Sequence, residues 1–204
     1  MRKTIFLSTL ILLSFAVVPQ KSWGKGPEPQ PAFSQTVAPE LNLELEYLAP
    51  VDKDRQIETV SLNILIKKPE IFRLKQFDSY LGLTLTRAWG SINRTTINPD
   101  SSAFGLGPVF LIRKELWQNN RVQLFFDSSV GLIFYSKDFP AGGDFYNFMW
   151  RFGPKIKYQI DPNLAWNLSY KWMHVSNGQI SHEEPTHNPA YNGVGFSLGL
   201  AWAF

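Results

Sequence analysis

The sequence contains no cysteine, which excludes disulfides, thiolate metal centres and a cysteine nucleophile. It is poor in charge, with 18% charged residues and a formal net charge of +3. No Lys/Arg cluster is interleaved with aromatics, so nothing points to a nucleic acid. Beyond residue 24 the chain lacks any apolar run long enough for a spanning helix. Helical periodicity is weak throughout. The three histidines come without clustered carboxylates, which makes a poor metal site, and neither metal nor cofactor is expected.

What is present is aromatic: 16 Phe, 7 Trp and 7 Tyr in 204 residues, a length that suits one domain. Mean hydropathy is only −0.15. That average is what a membrane barrel gives, because outward apolar residues alternate with inward polar ones and cancel.

The N-terminus reads as a targeting segment. Arg2 and Lys3 precede an apolar stretch from Ile5 to Val18, which has signal-peptide length and is short for an anchor. Ser22 and Gly24 supply small residues for cleavage before Lys25, so residues 1–24 are expected to be removed. Residues 25–39 hold several Pro and Gly and read as a periplasmic lead-in.

From residue 40 to 204 the chain reads as eight strands, near 40–49, 56–67, 77–89, 103–113, 120–135, 145–160, 164–177 and 191–204. In the last, Val194, Phe196, Leu198, Leu200, Trp202 and Phe204 share one face. Gly195, Ser197, Gly199, Ala201 and Ala203 share the other. Large apolar residues outside and small ones inside reverse the pattern of a sheet exposed to water. Leu81, Leu83, Leu85 and Trp89 oppose Tyr80, Gly82, Thr84 and Thr86. Phe148, Trp150, Phe152, Ile156, Tyr158 and Ile160 oppose Asn147, Arg151, Lys155, Lys157 and Gln159. Long polar side chains are costly against lipid and must turn inward. The expected fold is all-β: an eight-stranded antiparallel transmembrane barrel of the outer-membrane type, with both termini periplasmic. An interior of that size is filled by side chains, which disfavours an open pore. The connections at 114–119 and 161–163 are then periplasmic turns, and those at 90–102, 136–144 and 178–190 are external loops.

Candidate chemistry lies at the outer end of the seventh strand. Residues two apart on a strand share a face, so His174 and Ser176 are neighbours continuing the outward row of Trp166, Leu168, Tyr170 and Trp172. A serine hydroxyl becomes a nucleophile when an imidazole takes its proton, and that imidazole needs a partner to fix its tautomer. Asn192 has the same outward parity on the eighth strand. The plain alternative is a polar pair at a membrane rim. His182 and His187, in the last loop, read as surface residues.

The run His174-Val175-Ser176-Asn177-Gly178, then Asn188-Pro189 and Tyr191-Asn192-Gly193-Val194-Gly195-Phe196-Ser197-Leu198-Gly199-Leu200, resembles the lipid A 3-O-deacylase (PagL) family. The resemblance implies an eight-stranded barrel that hydrolyses an ester-linked acyl chain of lipid A in the outer leaflet. It implies Ser176 as nucleophile and His174 as general base, with the Asn177 backbone amide and Asn188 holding the oxyanion. In the best-known form of the family the third triad position is Glu. Here it is Asn192, with Glu183 and Glu184 in the preceding loop as alternatives. Substrate phosphates need cations. Arg87, outward by parity, is a candidate for phosphate or for a side chain that snorkels to water, and Arg94 and Lys137 fall in external loops. The expected partner is lipopolysaccharide, and a homodimer is one option for assembly. The competing function is a non-catalytic surface barrel with a structural or adhesive role.

Overall fold

Strict alternation of large apolar and polar residues builds the strands, because each β position turns its side chain to the opposite face of its neighbours. In the computed structural model, which describes residues 39–68, 76–92, 100–178 and 190–204, the strands are β1 (Glu40–Pro50), β2 (Arg55–Lys67), β3 (Asp78–Ile92), β4 (Asp100–Gln118), β5 (Val122–Tyr135), β6 (Tyr146–Asp161), β7 (Leu164–Ser176) and β8 (Tyr191–Ala203). They form one closed barrel in sequence order. The closing seam pairs β1 with β8 antiparallel, from Glu40↔Ala203 to Pro50↔Gly193.

The faces follow the predicted parity. Leu83, Phe104, Phe148, Phe196, Leu198 and Trp202 are exposed on the outer wall, while Glu44, Glu46, Arg113, Arg151 and Lys155 are buried inside. A sheet that hides its charges and presents Leu, Phe and Trp is built for apolar surroundings.

The interior is layered. Towards the end where β1 starts and β8 finishes it is ionic: Arg113 forks onto Asp127 at 2.8 and 3.0 Å, Lys171 reaches Glu44 at 2.7 Å, and Lys155 also pairs with Glu44. Towards the other end it is apolar, with Leu48, Ile57, Met173, Val175 and Tyr191 in one buried cluster. Phe139, from the β5–β6 connection, folds into that mouth and is fully buried. Its ring lies 4.8 Å from that of Tyr135 and 6.0 Å from that of Tyr191.

One expected turn is displaced. The sequence pattern places a connection at 114–119, but β4 runs on to Gln118, and β5 begins at Val122. A register shift between Glu115 and Trp117 breaks the alternation there, so a strand reads as a turn. β3 and β4 also extend further into the 90–102 connection than their alternation suggests, to Ile92 and from Asp100.

Candidate active site

The two strands flanking the last connection bring the candidate residues together. Met173 and Val175 are buried in the lumen at 1% and 0% exposure, so His174 and Ser176 between them face outward. His174 lies opposite Asn192 in the β7–β8 register and opposite Trp150 in the β6–β7 register. The imidazole Nδ1 is 2.9 Å from Asn192 Oδ1. It stacks on the Trp172 ring, with 6.0 Å between centroids and 6° between planes. Trp172 in turn packs against Trp150 and Phe152, so an aromatic shelf fixes the imidazole plane from below.

Ser176 and His174 line one cleft of about 220 Å³ together with Val130, Phe148, Trp150 and Gly178. Its walls are apolar, which suits an alkyl chain better than a sugar. Beyond Ser176 the chain turns at Gly178, with φ of +75°. This left-handed conformation is open to glycine without steric cost, and it brings the Gly178 N–H to donate to Ser176 Oγ at 3.1 Å. The side chain of Asn177 points the other way and donates to Asp144 Oδ2 at 2.9 Å. That anchors the residue after the serine to the plugged β5–β6 connection.

Asn192 has a second partner. Its Nδ2 donates to Asp52 Oδ2 at 2.9 Å. The sequence does not single out Asp52, and it offers Gly178 only as the end of the run that begins at His174. The Asn177-Gly178 dipeptide is a turn signal that could have found the second. No sequence signal leads to Asp52, which meets Asn192 only because β1 closes against β8.

Other expected site residues fall elsewhere. Asn188, Glu183, Glu184, His182, His187 and Arg94 lie outside the described residues. Lys137 is exposed in the β5–β6 connection. Arg87 is on β3, across an eight-membered ring from β7, and the structure does not bring it to His174. Its guanidinium instead sits over the Phe104 ring at 5.2 Å, beside an apolar groove lined by Leu62, Leu85, Leu106 and Phe134. Among the described residues no group of three or more His, Asp or Glu side chains could hold a metal ion.

Fold and site define a class: an eight-stranded barrel of the outer-membrane type carrying Ser, His and Asn side chains on its outer wall. The chain belongs to the lipid A 3-O-deacylase (PagL) family, whose sequence profile matches residues 72–201. Solved structures that share the fold include two outer-membrane barrels. One is the outer membrane enzyme PagL, with a TM-score of 0.52 and 12% identity over 81% of this chain and 99% of that one. The other is Neisserial surface protein A (NspA), with the same score and identity over 81% of this chain and 97% of that one. Comparison with curated proteins gives no match.

Proposed function

We propose that this protein is a serine esterase of the bacterial outer membrane that removes the acyl chain ester-linked at the 3-O position of lipid A. The observation that carries the reading is the His174–Asn192 contact of 2.9 Å on the outer wall, with Ser176 in the same apolar cleft. A site facing lipid meets a substrate that diffuses within the leaflet, whereas a lumenal site would not.

In this reading Ser176 Oγ attacks the ester carbonyl while His174 Nε2 takes its proton. The oxyanion is held by the Asn177 backbone amide and by Asn188, and the Gly178 N–H beside Ser176 Oγ adds a donor close by. His174 returns the proton to the departing sugar hydroxyl. It then activates a water to release the fatty acid from Ser176. The apolar cleft walls hold the acyl chain. All the named residues come from one protomer. Residues 1–24 act as the cleaved export signal, and the 51–54 turn lies on the external side.

A second reading, a non-catalytic surface barrel, has one observation in its favour: the likeness to NspA is as close as that to PagL. Lipid A extracted from cells with and without the protein separates the two. The esterase reading expects lipid A lighter by one acyl chain. Ser176→Ala and His174→Ala should each remove this activity by orders of magnitude, with the barrel still folded by its heat-dependent gel mobility. Unchanged lipid A beside a folded protein favours the surface barrel.

A further inference from the structure

We propose that Asp52, in the β1–β2 turn, is a positioning residue that sets the tautomer of His174 through Asn192. This rests on the hydrolytic reading above, and one arm of its test does not.

The argument begins with the amide. Asn192 has an acceptor end and a donor end, and rotating the amide by half a turn exchanges them. An ionised carboxylate accepts only. Asp52 Oδ2, 2.9 Å from Asn192 Nδ2, therefore fixes the NH₂ group towards itself and Oδ1 towards the imidazole. Oδ1 is 2.9 Å from His174 Nδ1 and can only accept, so Nδ1 must carry the proton. Nε2 is then the bare nitrogen, which is the form that can take a proton from serine. With the amide reversed, NH₂ would face Nδ1, the proton would move to Nε2, and the base would be lost. A glutamate at position 192 would need no such guard, because both of its oxygens accept. An asparagine does need one.

The turn is built to hold Asp52 there. The Val51 N–H donates to the Asn192 carbonyl at 3.3 Å, tying the two backbones together. Gln56 Nε2 donates to the Asp52 carbonyl at 2.6 Å. Arg55 reaches across to the Ala190 carbonyl at 2.6 Å, fixing the entry to β8. The carboxylate also places a negative charge one amide behind the imidazole, where it favours the imidazolium formed during the reaction.

The test uses the full-length protein in detergent micelles and the variants Asp52→Ala, Asp52→Asn, Asn192→Glu and Asp52→Ala/Asn192→Glu. Heat-dependent gel mobility serves as the folding control. Asp52→Ala should lower kcat/KM for lipid A by about tenfold to a hundredfold, mainly in kcat, because a wrong tautomer costs up to about 10⁴-fold and the amide would still sample both orientations. Asp52→Asn can still accept from Asn192 and should lose less. In the Asn192→Glu background, Asp52→Ala should cost nothing or raise activity, since it removes a carboxylate facing a carboxylate. The second arm reads the tautomer itself. In a His182→Gln/His187→Gln background, His174 is the one imidazole left. Its ¹⁵N shifts should report Nδ1–H with Asp52 present and a tautomer mixture in Asp52→Ala. An unchanged tautomer would overturn the proposal, as would an equal loss from Asp52→Ala in both backgrounds. A shifted tautomer in a protein that leaves lipid A intact would sustain the positioning role and defeat the hydrolytic reading.

Discussion

His174 and Ser176 share a face because they stand two apart on a strand, and Asn192 joins them because β8 returns beside β7 in register. Period-two parity is a property of the sequence, and it was enough to select these three residues. The proposed oxyanion donors are less legible, since a backbone N–H has no sequence signature beyond the turn that aims it. The turn at Gly178 gives a prediction at this scale. A Cβ there would adopt the strained left-handed region and meet the Phe148 ring at 3.3 Å. Gly178→Val should cost about 1–3 kcal/mol of local strain and re-aim the amide. Deacylation should fall at least tenfold while the gel mobility of the folded barrel is kept, and full activity would remove Gly178 from the site. Asn192→Ala should likewise cost most of the activity, because the imidazole keeps its shelf on Trp172 but loses the group that orients it.

At the level of strands and connections, alternation carried the fold as far as the alternation lasted. All eight strands were legible from it. The displaced turn at 114–119 shows its limit: Lys114, Glu115, Leu116, Trp117 and Gln118 do not alternate, because the register slips within them. Asp52 was hidden for a related reason. It lies 140 residues from Asn192 along the chain and reaches it only across the β1–β8 seam, a pairing that closure creates and local pattern does not encode. That seam depends on small residues. A Cβ on Gly195 would lie 2.0 Å from the Tyr47 carbonyl, so Gly195→Val should force the strands apart. The expected result is a lower temperature for the folded-to-unfolded gel transition, with lost activity following from displacement of Asn192 three residues away. A transition at the wild-type temperature would mean that the seam tolerates the added bulk.

For the barrel as a whole, the outer wall meets lipid and the inside is filled. Glu44 sits at the centre of the ionic layer, with Lys155, Lys171 and Arg113 around it. Removing one partner leaves buried charge uncompensated, which costs about 3–5 kcal/mol. Glu44→Ala should therefore lower the unfolding temperature sharply, and Glu44→Gln less so, while Glu58→Gln, a partly exposed change on β2, should do little. Among the described residues the interior is filled by buried side chains, as in other barrels of this strand number, so the protein should give no steady conductance in planar bilayers. In the proposed reading the chemistry takes place on the outer wall, where Ser176, His174 and Asn192 stand. The most direct test is the mass of lipid A from cells producing the wild-type protein and from cells producing Ser176→Ala at equal outer-membrane levels. The account predicts loss of one ester-linked acyl chain in the first and intact lipid A in the second. Intact lipid A in both, or the same loss in both, would contradict it.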